Sequence, residues 1–127
     1  MKIHHAALFT MDLEKMRSFY ETYFGAQSGA KYCNPKTGLE TYFLSFDDDT
    51  RLEIMTRPDL QSSGDDTPRA GWAHLAFGAG SKEGVNNLTE RLACDGFQIF
   101  SAPRTTGDGY YESCVSDPDG NRVEIVE

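Results

Sequence analysis

Several ingredients are scarce in this 127-residue chain, and each scarcity excludes a class of protein. No apolar run approaches the roughly 18 residues a membrane span needs, and Met1-Lys2-Ile3-His4-His5 lacks the apolar centre of a signal peptide. A cytoplasmic protein without membrane partners is the expectation. Cysteine is limited to Cys33, Cys94 and Cys114, odd in number and without CxxC spacing, which disfavours a disulfide framework or a cysteine zinc site. Basic residues are also few: 12 Lys and Arg stand against 20 Asp and Glu, a formal charge of −8. Nucleic acids and anionic membranes both require a basic footprint, so neither is expected as a partner. Gly78-Ala79-Gly80 lacks the further glycine or the Lys-Ser/Thr of a phosphate loop, and no nucleophile elbow occurs.

What is present is an internal repeat. Asp117-Pro118-Asp119-Gly120-Asn121-Arg122-Val123-Glu124-Ile125-Val126 has an earlier counterpart in Asp47-Asp48-Asp49-Thr50-Arg51-Leu52-Glu53-Ile54-Met55. Each reads as an acidic turn feeding a strand of Arg, apolar, Glu, Ile, with the glutamates 71 positions apart (124 − 53). Upstream, Ile3 to Thr10 alternates as a strand and contains His5, and Trp72 to Phe77 does the same with His74, 69 positions on (74 − 5). After each strand comes a helical stripe. Asp12 is the expected N-cap of the first, which carries Leu13, Met16, Phe19, Tyr20 and Tyr23 and ends at Gly25; Ser81 caps the second, which carries Val85, Leu88 and Leu92 and ends at Gly96.

Three short β-prone segments follow each helix: Gln27 to Cys33, Leu39 to Phe46 and Thr50 to Met55, then Gln98 to Ser101, Tyr110 to Ser116 and Asn121 to Val126. The length suits one core. The reading is therefore one α+β domain over 1–127, built from two βαβββ modules at about 1–56 and 72–127, with a polar linker at about 57–71.

Strand alternation decides which polar groups share a face. His5 lies with Ala7 and His74 with Ala76, while Glu53 and Glu124 lie opposite their apolar neighbours Leu52, Ile54, Val123 and Ile125, which belong under the helices. Two imidazoles and two carboxylates on the helix-free faces form a donor set for one divalent metal, with N/O chemistry suited to Ni, Co, Zn, Fe or Mn. A metal also removes the repulsion between two carboxylates held close together. His4, one residue from His5, is expected on the opposite face. Tyr110 and Tyr111 are read as either rim or core, and Arg17, Arg51, Arg57, Arg104 and Arg122 as solvated charges or candidates to bind an anionic substrate.

The residues His5, Asp12-Leu13-Glu14, Phe19-Tyr20, Leu52-Glu53-Ile54, His74-Leu75-Ala76-Phe77 and Asp117-Pro118-Asp119-Gly120-Asn121 with Glu124 together resemble the vicinal oxygen chelate superfamily, the glyoxalase, bleomycin-resistance and extradiol-dioxygenase group. The resemblance spans the whole length. It implies paired modules forming a cupped mixed sheet with helices on the outer face, often completed across a homodimer. The order His, Glu, His, Glu is most similar to the glyoxalase I (lactoylglutathione lyase) branch, whose compact bacterial members favour nickel or cobalt. That similarity implies a lyase or isomerase acting on the hemithioacetal of a 2-oxoaldehyde, with His5, Glu53, His74 and Glu124 as metal ligands. Glu124 would be the principal base and Glu53 a ligand and second catalytic carboxylate. An Arg commonly found four residues after the first His, where it holds glutathione, is Phe9 here. Alternatives with the same fold are an epimerase of a thioester, a thiol transferase of antibiotic resistance, and a metal-free drug-binding protein.

Overall fold

The structure is a computed structural model and describes residues 1–62 and 70–127. Part of the expected linker, 63–69, lies outside the described residues. The chain divides into two compact units, Met1–Thr67 and Pro68–Glu127.

The first unit runs β1 (Ala6–Phe9), α1 (Leu13–Phe24), β2 (Gln27–Ser28), β3 (Tyr32–Cys33), β4 (Glu40–Ser45) and β5 (Arg51–Thr56). The second runs β6 (Leu75–Gly78), α2 (Lys82–Cys94), β7 (Ile99–Thr105), β8 (Tyr111–Ser116) and β9 (Arg122–Val126). The first sheet has the order β1-β5-β4-β2 with β3 also on β4, and the second β6-β9-β8-β7. In each, the first strand pairs parallel with the last and the remaining pairs are antiparallel, so both sheets are mixed. The architecture is α+β, and each unit is the expected module.

The helices begin and end where their sequences direct. Asp12 accepts from the Lys15 N–H at 2.9 Å and Ser81 from the Gly84 N–H at 3.0 Å, each satisfying a donor the first turn leaves unpaired. Gly25 closes α1 in the left-handed region at φ 68°, while α2 ends one residue earlier than expected, with Asp95 as the cap and Gly96 following at φ 89°. Leu13, Met16, Phe19 and Tyr20 on α1 are buried, as are Tyr42, Leu44, Leu52 and Ile54 on the sheet below. On α2 the buried set is Val85, Thr89 and Leu92, over Val115, Val123 and Ile125. Each large apolar side chain so buried contributes about 1.5–3 kcal/mol. Thr89 fits this layer by donating to the Val85 carbonyl and bonding the Ser113 hydroxyl, both at 2.6 Å.

The register reproduces the repeat. Ala7 pairs with Glu53 as Ala76 does with Glu124, and Phe43 faces Glu53 as Cys114 faces Glu124. Even the turns agree, since Asp49 (φ 64°) and Gly120 (φ 88°) both adopt the left-handed conformation 71 positions apart (120 − 49).

Three expectations need correction. The opening strands are shorter than the alternating runs, starting at Ala6 and Leu75, so His5 and His74 are each the residue immediately before a strand. The segment Gln27 to Cys33 is two short strands on β4. The pairings Ser28↔Leu44 and Tyr32↔Thr41 differ by one in register, and the extra residue falls between Gly29, whose N–H still bonds the Phe43 carbonyl at 3.0 Å, and Tyr32. Finally, β7 continues past Ser101 through Pro103, which an edge strand with register shifts tolerates because one side needs no donor.

Candidate functional site

Each unit holds one histidine against one glutamate on the sheet face away from its helix. Glu53 is on β5, between Leu52 and Ile54 that turn into the core, and its carboxylate Oε2 lies 3.6 Å from Nε2 of His5. Glu124 is on β9, between Val123 and Ile125, with its Oε2 3.1 Å from Nε2 of His74. Both carboxylates are mostly shielded, at 18% and 19% side-chain exposure, while the imidazoles are more open. Among the described residues no three or more His, Cys, Asp or Glu side chains gather around one point, so the structure brings the four expected ligands together as two pairs.

The pair geometry suits metal ligation. Two donor atoms about 2.1 Å from a common ion are about 3.0 Å apart at a right angle and about 3.4 Å apart at the tetrahedral angle. The observed 3.1 and 3.6 Å fall near those values, and 3.6 Å is too long for a hydrogen bond. The exposed nitrogen of each imidazole and one oxygen of each carboxylate are thus set side by side, as cis ligands must be. A divalent ion fits this donor set.

The surroundings of the two pairs differ. In the first unit, buried Thr41 donates its hydroxyl to Oε1 of Glu53 at 3.1 Å, and the Phe43 ring stands edge-on to His5 with centroids 5.3 Å apart. In the second, the corresponding positions are Glu112 and Cys114 (41 + 71 and 43 + 71). Glu112 lies 3.5 Å from Arg104. Burial pushes the Cys114 thiol above its ordinary range, the nearby glutamates adding to this and Arg122 opposing it, so the thiol stays protonated at neutral pH. An open depression of about 570 Å³ in this unit is lined by His74, Tyr110, Glu112 and Glu124 among others, with no Lys or Arg among the described residues of its wall.

His4 departs from expectation. Because β1 begins only at Ala6, residues 4 and 5 escape strand alternation, and Nδ1 of His4 lies 2.8 Å from Nδ1 of His5. Arg51 donates to Nε2 of His4, which leaves the His4 proton on Nδ1, directed at His5. Ligation through Nε2 of His5 needs the opposite arrangement, with the proton on Nδ1, so metal uptake would reverse this hydrogen bond and release Arg51. Of the two tyrosines, Tyr110 rims the depression, whereas Tyr111 turns to α2, its hydroxyl donating to Asn86 at 2.8 Å and its ring under Lys82. The arginines are engaged locally: Arg17 with Glu14, Arg57 with Asp59, Arg104 with Glu112, and Arg122 over the Phe100 ring at 4.2 Å. Thr41, Phe43 and Cys114 were not singled out from sequence, although the 71-residue offset and a hairpin register were signals that could have placed them beside the glutamates.

Comparison with known proteins supplies the lineage. The model of the Glyoxalase/Bleomycin resistance protein/Dioxygenase superfamily matches residues 2–125. The chain belongs to that superfamily. A relative from Bacillus subtilis, the uncharacterized protein YqjT, is 30% identical over 98% of this chain and 97% of its own length. The mitochondrial methylmalonyl-CoA epimerase of Bos taurus is 32% identical over 71 residues, 56% of this chain and 37% of that protein. Among solved structures, the lactoylglutathione lyase from Agrobacterium tumefaciens superposes with a TM-score of 0.70 at 24% identity, covering 99% of this chain and 92% of that one, a likeness of fold. Within this superfamily, a small-molecule site is the typical use of the paired modules, and no helix among the described residues is long and apolar enough to cross a membrane.

Proposed function

We propose that this superfamily member is a metal-dependent lyase or isomerase of the glyoxalase kind, acting on the hemithioacetal of a 2-oxoaldehyde through an enediolate. The observation that carries the reading is the duplicated His/Glu pair at ligand spacing. His5, Glu53, His74 and Glu124 would hold one divalent ion, nickel or cobalt foremost, with zinc, iron or manganese as further candidates. The two modules would then act as one domain lined by this site, whether completed within a chain or across a homodimer. When bound, the ion supplies Lewis-acid stabilisation of the negative charge that develops when a C–H next to a carbonyl is ionised.

The protein's own groups move the proton. Glu124 takes it from the hydroxyl-bearing carbon, leaving the electron pair in the carbon–carbon bond, and returns it to the neighbouring carbon to give the 2-hydroxy thioester. His5 and His74 orient the carboxylates, and Glu53 adds a negative charge to the ion's ligand set. A second reading, an epimerase working next to a thioester carbonyl, draws on the methylmalonyl-CoA epimerase similarity and needs the same carbon-acid chemistry.

Elemental analysis of purified protein, followed by assay of the nickel-loaded sample on methylglyoxal with several thiols and on a chiral 2-methyl acyl thioester, separates these readings. Near-stoichiometric metal with turnover of the hemithioacetal supports the lyase. Metal with racemisation alone would move the assignment to the epimerase. Glu53→Gln and His74→Ala proteins that retain full metal content would remove the ligand assignment altogether.

A further inference from the structure

The repeat is broken at two positions beside the glutamates, Thr41/Glu112 and Phe43/Cys114, and the first break distinguishes them. Thr41 on β4 pairs across the ladder with Met55, and Glu112 on β8 pairs likewise with Val126, so the two occupy the same place in their modules. Thr41 is only 6% exposed, and its hydroxyl donates to Oε1 of Glu53 while Oε2 faces His5. A β-branched side chain on a strand has few χ1 choices, so the position of that donor follows from the backbone. One oxygen of Glu53 is therefore held by a hydrogen bond while the other faces His5. At the matching place Glu112 offers a carboxylate, which has no proton to donate when ionised and which lies by Arg104. Glu124 is left with His74 as its one polar partner among the described residues.

We infer that Thr41 is a positioning residue: it fixes Glu53 as the static member of the carboxylate pair and leaves Glu124 as the member free to turn. The inference rests on the metal reading above and deepens it. Turning Glu53 breaks the Thr41 hydrogen bond as well as the approach to His5, whereas turning Glu124 breaks only the approach to His74. Shuttling a proton between adjacent carbons requires a carboxylate that shifts between them, and a metal held by four side chains requires others that do not shift. The threonine assigns the two tasks. A role in packing alone is a different claim, because valine fills the same space without donating.

The test compares Thr41→Val, Thr41→Ala and Thr41→Ser in the full chain, measuring nickel affinity by competition with a chromogenic chelator and thermal melting of the metal-free proteins. Removing a hydrogen bond that orients a ligand typically weakens metal binding about 10- to 100-fold. The expected result is a loss of that size in Thr41→Val and Thr41→Ala, with Thr41→Ser within about threefold of the parent. Should Thr41→Val fail to fold, Thr41→Ala and Thr41→Ser carry the same comparison. Parental affinity in the folded hydroxyl-free variants overturns the inference while leaving the metal reading intact, and so does equal weakening in all three variants. A parent protein that takes up neither nickel nor zinc overturns the metal reading itself, and the inference with it.

Discussion

Replacing Asp117 probes the turn that delivers Glu124. Its carboxylate is 2% exposed and accepts three hydrogen bonds, from the Asp119 N–H at 2.9 Å and from the Asn121 N–H and side-chain amide, both at 2.8 Å. These close the loop that sets the β8–β9 register, in which Cys114 faces Glu124. Bonds to a charged acceptor are worth roughly 1.5–3 kcal/mol each before the cost of burying the charge. That cost is considerable here: burial pushes the Asp117 carboxyl above 3.8, although Asn121 and the Asp119 N–H pull it down. Since Asp119 and Asn121 retain some access to water, Asp117→Ala should cost about 2–3 kcal/mol, or roughly 10 °C in Tm.

Asp117→Asn should behave differently. Its carbonyl oxygen can keep the two backbone N–H groups that Oδ1 receives, and a turned Asn121 amide can accept from its NH2, so the loss should stay within about 1 kcal/mol. The pH dependence has a definite sign. A folded-state pKa raised above the unfolded value makes Asp117 stabilising below that unfolded value, with the contribution lost as pH rises through the folded pKa. Denaturant titrations from about pH 3.5 to 7 should therefore show Asp117→Asn gaining on the parent as pH increases. A difference that grows in the parent's favour over that range would refute the argument, because the hydrogen bonds would then outweigh desolvation.

Other substitutions test further steps. Gly84→Ala in α2 should destabilise by about 1 kcal/mol or more, against the gain of similar size usual for this change inside a helix, because the new Cβ would lie 2.7 Å from the Ala79 carbonyl oxygen; thermal melts monitored by circular dichroism decide the sign. Asp49→Gly should stabilise by roughly 0.5–1 kcal/mol by removing the cost of a side chain at φ 64°, and a thermal melt showing no gain would refute this. His74→Ala and Glu53→Gln should each reduce nickel content below half at equimolar metal, measured after gel filtration, whereas Tyr111→Phe, whose hydroxyl meets Asn86 on α2, should leave it unchanged.

Much of the fold was legible because its signals are local. Asp12 and Ser81 lie where their helices need caps, Gly25 where a left-handed residue is required, and the apolar stripes follow the buried faces, except that on α2 Thr89 is buried and Leu88 only partly so. The β5 and β9 alternation placed Glu53 and Glu124 away from the core, and subtraction matched the two glutamates to each other and the two histidines likewise, while the pairing of each glutamate with its own histidine came from the structure. Stripes and alternation are periodic properties, and a duplicated chain states them twice. By itself the sequence determined the α+β plan of two repeated modules and the N-caps of both helices, and it nominated four side chains as candidate ligands.

Tertiary structure decided what depends on neighbours distant in the chain. The opening strands pair with β5 and β9 only from Ala6 and Leu75 onward, and His4 lies against His5 instead of on the opposite face. The one-residue shift on β4 split an expected strand between Gly29 and Tyr32. Cross-strand register and side-chain rotamers placed the Thr41 hydroxyl on Glu53 and Glu112 at the corresponding place on β8. Periodicity assigns a residue to a face, but a hydrogen bond depends on the position of a particular oxygen, which only the packed sheet sets.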